Sequence, residues 1–235
     1  MSRADDIARG LDDVRARIAA AARAAGRSAG SVRLVAVSKK MPVADVEAAR
    51  AAGQLDFGEN YAQELRDKRD ALAGPPERPS DLRWHFIGPL QSNKLKLVAG
   101  RVALLHSIDS PALVDEIERR GTPQDCLVQV NVAGETQKRG LLPDALPALL
   151  DRFAAATSAR CLGLMAIPPF ADDPEAGRPA FAALRALRDR EAARARPNVD
   201  LGELSMGMSH DLEIAIAEGA TIVRVGTAIF GARTR

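Results

Sequence analysis

The 235-residue sequence is poor in aromatic side chains, with six phenylalanines, one tryptophan and a single tyrosine making up 3% of the chain. So sparse a set cannot build the stacking platforms on which single-stranded nucleic acids are held. Charge of one sign is also missing: 33 basic against 31 acidic residues leave a net charge of +2. That gives no field to draw in nucleic acid or an anionic bilayer. Two cysteines, Cys126 and Cys161, are too far apart for a CxxC-type metal site. Both lie in apolar, strand-like runs and read as small buried thiols of a reducing compartment. No apolar run reaches the ~20 residues that span a bilayer. The opening residues, MSRADDIARG, lack the apolar stretch of a secretory signal. These absences place the chain in the cytoplasm, with neither nucleic acid nor membrane as a partner. No linker, low-complexity segment or sequence repeat divides it, so 1–235 is read as one domain.

What is present is an alternation of short apolar runs with helical patterns. Ile7, Leu11, Val14 and Ile18 recur on one helical face, so a helix is expected over 3–25, stopped by Gly26. Valine-rich or otherwise apolar runs then predict eight strands, near 32–38, 55–58, 83–87, 102–107, 126–132, 161–167, 203–206 and 221–225. Helices are expected between them near 42–53, 61–73, 92–99, 111–120, 143–157, 175–195 and 210–218, and the Pro-rich stretch 74–81 reads as a loop. Strict alternation implies parallel strands with right-handed crossovers. Eight such units predict a TIM-type (β/α)8 barrel with an extra N-terminal helix, which would cover the place of a full eighth outer helix. The competing architecture, an open doubly-wound sheet, would be expected to carry GxGxxG after its first strand, and none is there.

A barrel of this kind carries its chemistry at the C-terminal ends of its strands. Strand one ends in Ser38-Lys39-Lys40. A lysine desolvated at a barrel mouth is poised as a free amine for an aldehyde, although the spacing by itself favours a pair of solvated loop lysines. Asn60 after strand two and His85 in strand three are polar groups suited to hydrogen-bonding a ligand, and Ser92 is a candidate cap for the helix that follows. After strand seven, Met208 and Ser209 lead into a helix with Ser209 as the expected N-cap, and the first amides of that helix could hold an anion. Strand eight ends in Arg224-Val225-Gly226-Thr227. Gly226 permits close backbone approach, and Thr227 adds a hydroxyl. Two such turns at strands seven and eight make a phosphate cup, against which Asp211 and Glu213 stand as competing anions. Arg224 alternates with Val223 and Val225, so it faces the opposite side of its strand from them and needs a partner there. A salt bridge to Glu59 is one option.

These motifs together resemble a known family. Ala36–Lys39, Phe57–Tyr61, Trp84–Lys94, Gly163–Pro168, Ser205–Ser209 and Arg224–Gly231 are similar, in order and over nearly the whole chain, to the pyridoxal phosphate homeostasis proteins. The resemblance implies a barrel like the N-terminal domain of bacterial alanine racemase, holding pyridoxal 5′-phosphate (PLP) as an internal aldimine on Lys39. It implies a phosphate site at Ser209, Gly226 and Thr227 with the Met208 backbone, Asn60 lining the pocket, and Arg224 facing the pyridine nitrogen. His210 stands where the family commonly has Asp, and Arg139 follows Lys138 where many members have Ser. The implied role is to keep PLP bound and supply it to apo-enzymes, without robust catalysis; without the racemase's second domain and its dimer contacts, a monomer is expected. Lys138 could serve as a secondary aldehyde site. The competing readings are an amino-acid racemase, which would need two bases on opposite faces of its substrate, one of them a tyrosine, where this sequence offers only Tyr61, and a plain phosphate-binding barrel with Lys39 as a point charge.

Overall fold

The valine-rich run after the first helix forms the opening strand of a closed, all-parallel barrel of eight strands in sequence order. The computed structural model describes residues 2–74, 80–135, 138–169 and 171–232; most of the Pro-rich stretch lies outside them. The strands are β1 Arg33–Val37, β2 Asp56–Glu59, β3 Arg83–Phe86, β4 Leu104–Ile108, β5 Gln124–Gln129, β6 Ala159–Met165, β7 Val199–Ser205 and β8 Ile222–Val225. The helices are α1 Arg3–Ala24, α2 Val43–Ala51, α3 Ala62–Ala71, α4 Pro111–Arg120, α5 Leu146–Ala154, α6 Arg178–Ala192, α7 Leu212–Ala217 and α8 Thr227–Phe230. β1 closes the barrel on β8, with Val35 opposite Arg224 and Ala36 opposite Val225. The expected TIM-type barrel is therefore the observed fold.

Three local expectations give way. Residues 92–97 form a 3-10 helix, not an α-helix, and Ser92 is its first residue rather than its cap. With Gly100 close behind, the segment is too short to recover the nucleation cost of an α-helix. The helix expected over 210–218 begins only at Leu212, with Asp211 preceding it. β7 begins at Val199, four residues before the weak apolar run that marked it.

The barrel separates two cores. Strand alternation sends one set of side chains outward to the helices, where Phe57, Leu105, Val128, Leu164 and Val223 join the main apolar cluster. The inward set holds a much smaller one, Val35, Leu104, Leu127, Met165 and Ile222. Much of the remaining interior is polar: His85, His106, Ser205 and Arg224 are all buried. Barrel interiors are ordinarily filled by branched apolar side chains. Cys126 and Cys161 face each other across β5 and β6, unbonded and buried, and burial pushes the Cys161 thiol up to about 12. Among the described residues no helix is long and apolar enough to cross a membrane.

α1 fills the place of a full eighth helix. It packs against α2, α7 and α8, burying Ile7, Leu11, Val14 and Ile18. Arg3 reaches the far end of α8, donating from Nη2 to the Phe230 carbonyl at 2.8 Å, and pairs with Asp45 of α2. Gly10 makes this docking possible. A Cβ there would stand 2.8 Å from the Ala228 carbonyl oxygen and 2.9 Å from that of Ile229. In an open helix Gly→Ala is stabilising by up to ~1 kcal/mol. Here the sign reverses: Gly10→Ala is expected to lower the unfolding free energy by ~1–3 kcal/mol through overpacking, read from the urea midpoint.

Candidate functional site

The turn after β1 is held by buried charges. Lys68 of α3 donates from Nζ to the Ser38 carbonyl at 2.6 Å and to the Glu59 and Glu64 carboxylates at 2.7 Å each. Ser38 donates from its hydroxyl to the same Glu59 oxygen at 2.7 Å. The Lys40 amide donates to Glu64 at 2.5 Å, and Lys40 sits at φ +62°, a left-handed conformation costly for a side chain of its size. The Ser38 carbonyl and the Lys40 amide, on either side of Lys39, are thus pinned. Lys39 itself is half-buried, two residues past the end of β1 in the alternation that turns Val35 inward. Burial raises the Glu59 carboxyl above its usual range, with Lys68 pulling the other way, and Glu59 Oε2 is buried without a hydrogen-bond partner.

Beside it, on the strands that close the barrel against β1, the turns after β7 and β8 meet. The Ala228 amide donates to Ser209 Oγ at 3.4 Å. The Ser209 hydroxyl therefore does not cap α7, contrary to the sequence expectation, but reaches towards the β8 turn. Asp211 takes over the local amide: Met208 N–H donates to its Oδ1 at 2.6 Å, so the Met208 backbone is already engaged. Glu213 is drawn away by Arg17 of α1 at 2.6 Å, and Arg17 also donates to the Ser209 carbonyl. Of the two competing anions, only Asp211 acts on the turn. Gly207 sits at φ +92°, where a Cβ would lie 2.6 Å from that of Ala215, and its carbonyl accepts the Arg224 amide. Gly226 has φ −119°, which any residue adopts. Thr227, exposed, opens α8.

Arg224 is 4% exposed, and its partners are neutral oxygens: Ser205 Oγ at 2.6 Å and the Ala166 carbonyl at 3.0 Å. Among the described residues no carboxylate pairs with it; Glu59, the partner considered from sequence, belongs to Lys68 and Ser38 instead. Burial lowers the guanidinium to about 10, with the Asp211 charge acting against it, so it remains a cation at neutral pH. His85 does not face the mouth. Its ring nitrogens lie 3.0 Å from Asp56 and 2.9 Å from His106, inside the barrel, which leaves neither for a ligand. Asn60 is better placed. Its Oδ1 is buried without a partner and it lines a cavity of about 160 Å³ with Tyr61, Phe86 and Arg139. Gly88 braces it, since a Cβ there would stand 2.1 Å from the Asn60 carbonyl oxygen. Lys138 pairs with Glu135 at 2.9 Å, and His210 Nε2 lies 2.9 Å from the Asp172 carbonyl. The Gly134–Gly140 loop lies partly outside the described residues.

Sequence reasoning missed Lys68, Glu64, His106 and the role of Ser205. One signal was available. Polar residues at alternate positions of strands, as in Arg83-x-His85 and Glu203-x-Ser205, mark a polar inward face. The buried clamp yields a test. Lys68→Met strands Glu59 and is expected to destabilise the fold by ~3–5 kcal/mol, towards the lower end because Glu59 can take up a proton, measured by denaturant unfolding.

The model of the alanine racemase N-terminal domain family matches residues 10–234. A pyridoxal phosphate homeostasis protein from Pseudomonas aeruginosa is 47% identical over 231 residues, covering 97% of this chain and 96% of that protein. One from Aquifex aeolicus is 44% identical over 227 residues, covering 95% and 96%. Among solved structures, PipY of Synechococcus elongatus with PLP bound superimposes with a TM-score of 0.80 at 35% identity, covering 96% of this chain and 100% of that one. The chain belongs to the alanine racemase N-terminal domain family, among the pyridoxal phosphate homeostasis proteins.

Proposed function

We propose that this protein binds PLP on Lys39 and serves PLP homeostasis, keeping the cofactor bound and releasing it to apo-enzymes rather than using it for turnover. The observation that carries this reading is Arg224: a buried cation, in register with Val35 of the strand that leads to Lys39, whose hydrogen-bonded partners are neutral oxygens. When bound, PLP supplies an aldehyde that condenses with an amine, and a pyridine ring whose electron-withdrawing power depends on the proton at its nitrogen. Arg224 only donates hydrogen bonds. Facing that nitrogen, it would leave it unprotonated and the ring a weak electron sink, which suits retention over turnover.

The other residues fit the remaining parts of the group. The orphan Oε2 of Glu59 is a buried acceptor on a residue bonded to the turn that carries Lys39, and the unpartnered Oδ1 of Asn60 is another just past the end of β2. Ser209 and the amide and hydroxyl of Thr227, brought together by the Ala228–Ser209 bond, would hold the phosphate. The Met208 amide would join them only by exchanging Asp211 for the phosphate. Tyr61, the chain's single tyrosine, is half exposed in the turn before α3 and would be the sole candidate for a second base. We assign 1–235 to one domain acting as a monomer, and treat Lys138, already paired with Glu135, as secondary.

Incubation with PLP, borohydride reduction and peptide mapping test the assignment. A pyridoxyl mass increment is expected on Lys39, absent in Lys39→Ala. Ser209→Ala is expected to weaken PLP binding by about 10-fold or more, as befits a lost hydrogen bond to a charged group, with the increment still on Lys39. Labelling spread over surface lysines would contradict the assignment.

A further inference from the structure

An unbroken line of hydrogen bonds runs through the barrel from its floor to Arg224. Asp56 Oδ1 lies 3.0 Å from His85 Nε2, and His85 Nδ1 lies 2.9 Å from His106 Nε2. His106 Nδ1 lies 2.9 Å from Ser205 Oγ, which accepts from Arg224 Nη1 at 2.6 Å. Asp56 is the first residue of β2, so it stands at the opposite end of the barrel from the mouth, beside a floor cavity also lined by Arg33, Arg83 and Glu203.

The chemistry of the floor dictates the direction of every link. Burial would raise the Asp56 carboxyl, but hydrogen bonds from His85 and then Arg83 outweigh it and hold it at about 2, so it is ionised. A carboxylate only accepts, so His85 carries its hydrogen on Nε2. Burial lowers both histidines below their ordinary value, His106 far below it, and keeps them neutral. A neutral imidazole has one N–H, so His85 Nδ1 is bare and must accept from His106 Nε2. His106 Nδ1 is then bare in turn and must accept the Ser205 hydroxyl. Ser205 is left with a lone pair towards Arg224, and a guanidinium only donates.

We propose that Asp56, His85, His106 and Ser205 are positioning residues for the PLP site, a relay in which the floor carboxylate sets both histidine tautomers and thereby presents an acceptor that holds Arg224 in place. The arrangement solves a specific conflict. A carboxylate in contact would hold the guanidinium equally well but would neutralise it. Three neutral links between the anion and Arg224 hold it by a short hydrogen bond and leave its charge for the ligand. What Arg224 faces rests on the function proposed above; the relay itself does not.

Long-range ¹⁵N–¹H NMR of the cofactor-free protein separates the two. The chain has three histidines, and His210 is exposed, so the buried pair is readily assigned. At neutral pH both His85 and His106 are expected as single Nε2–H tautomers. In Asp56→Ala, His106 is expected to populate the Nδ1–H form as well, although it does not touch residue 56, and Ser205→Ala is expected to do the same from the other end. In PLP-loaded Asp56→Ala, release of PLP is expected to quicken by about 10-fold, a loss of roughly 1.4 kcal/mol, with the adduct still on Lys39. An Nδ1–H tautomer at either buried histidine of the wild type, or a His106 unchanged in Asp56→Ala, would overturn the relay whether or not PLP binds. The wild-type tautomers decide the matter even where a variant does not fold. A wild type with the expected tautomers but no affinity for PLP would support the relay and overturn the cofactor assignment instead.

Discussion

Taking a guanidinium out of water without giving it a carboxylate is the constraint around which the barrel is arranged. Arg224 is almost fully buried and hydrogen-bonds Ser205 and the Ala166 carbonyl. A buried cation held by neutral groups alone is expensive, and the interior is built to offset that expense. Inward positions that a barrel ordinarily fills with branched apolar side chains are occupied by His85, His106 and Ser205, which carry the influence of Asp56 from the floor to the mouth. The apolar part of the interior is correspondingly small, and the stabilising core lies outside the strands, against the helices.

A second buried charge group serves the neighbouring strand, β1. Lys68 binds Glu59, Glu64 and the Ser38 carbonyl, and with the Lys40 amide it fixes the turn carrying Lys39 in a strained conformation. The two groups differ in kind. Around Lys68 the cation is in direct contact with two carboxylates, so the cluster is a clamp. Around Arg224 anion and cation are kept apart by three neutral links, so the cation keeps its field. One wall positions an amine and the other presents a positive donor, and β1 and β8, the strands behind these two positions, are hydrogen-bonded neighbours. In the proposed site Lys39 would supply the amine and Arg224 the ring-nitrogen donor, an arrangement that would leave the ring without the proton that carbanion chemistry draws on.

The fold was legible because its signals are local. Valine-rich runs and helical periodicity are written within ten or so residues, and the absence of GxGxxG argued against the open-sheet alternative. Lys39, Asn60, Ser209 and Thr227 could be singled out because strand ends announce themselves. What could not be read was pairing across the interior. Ser205 and His106 are 99 residues apart in sequence, and their contact depends on the register of strands that no local pattern specifies. His85 was misjudged for the same reason. Its place near the end of an apolar strand suggested the mouth, but both ring nitrogens are spent on partners that only the closed barrel brings together. The α7 boundary failed differently, since Asp211 and Ser209 are both acceptable at a helix start and only the turn geometry chooses between them.

In the proposed site Arg224 faces the pyridine nitrogen of PLP as a donor and leaves it unprotonated. The most direct measurement is the ¹⁵N chemical shift of ring-labelled PLP bound to the protein at neutral pH. The shift of a hydrogen-bonded but unprotonated pyridine is expected, moving towards the free-base value in Arg224→Gln. A pyridinium shift in the wild type would contradict it, and with it the view of this barrel as a holder of PLP rather than a user of it.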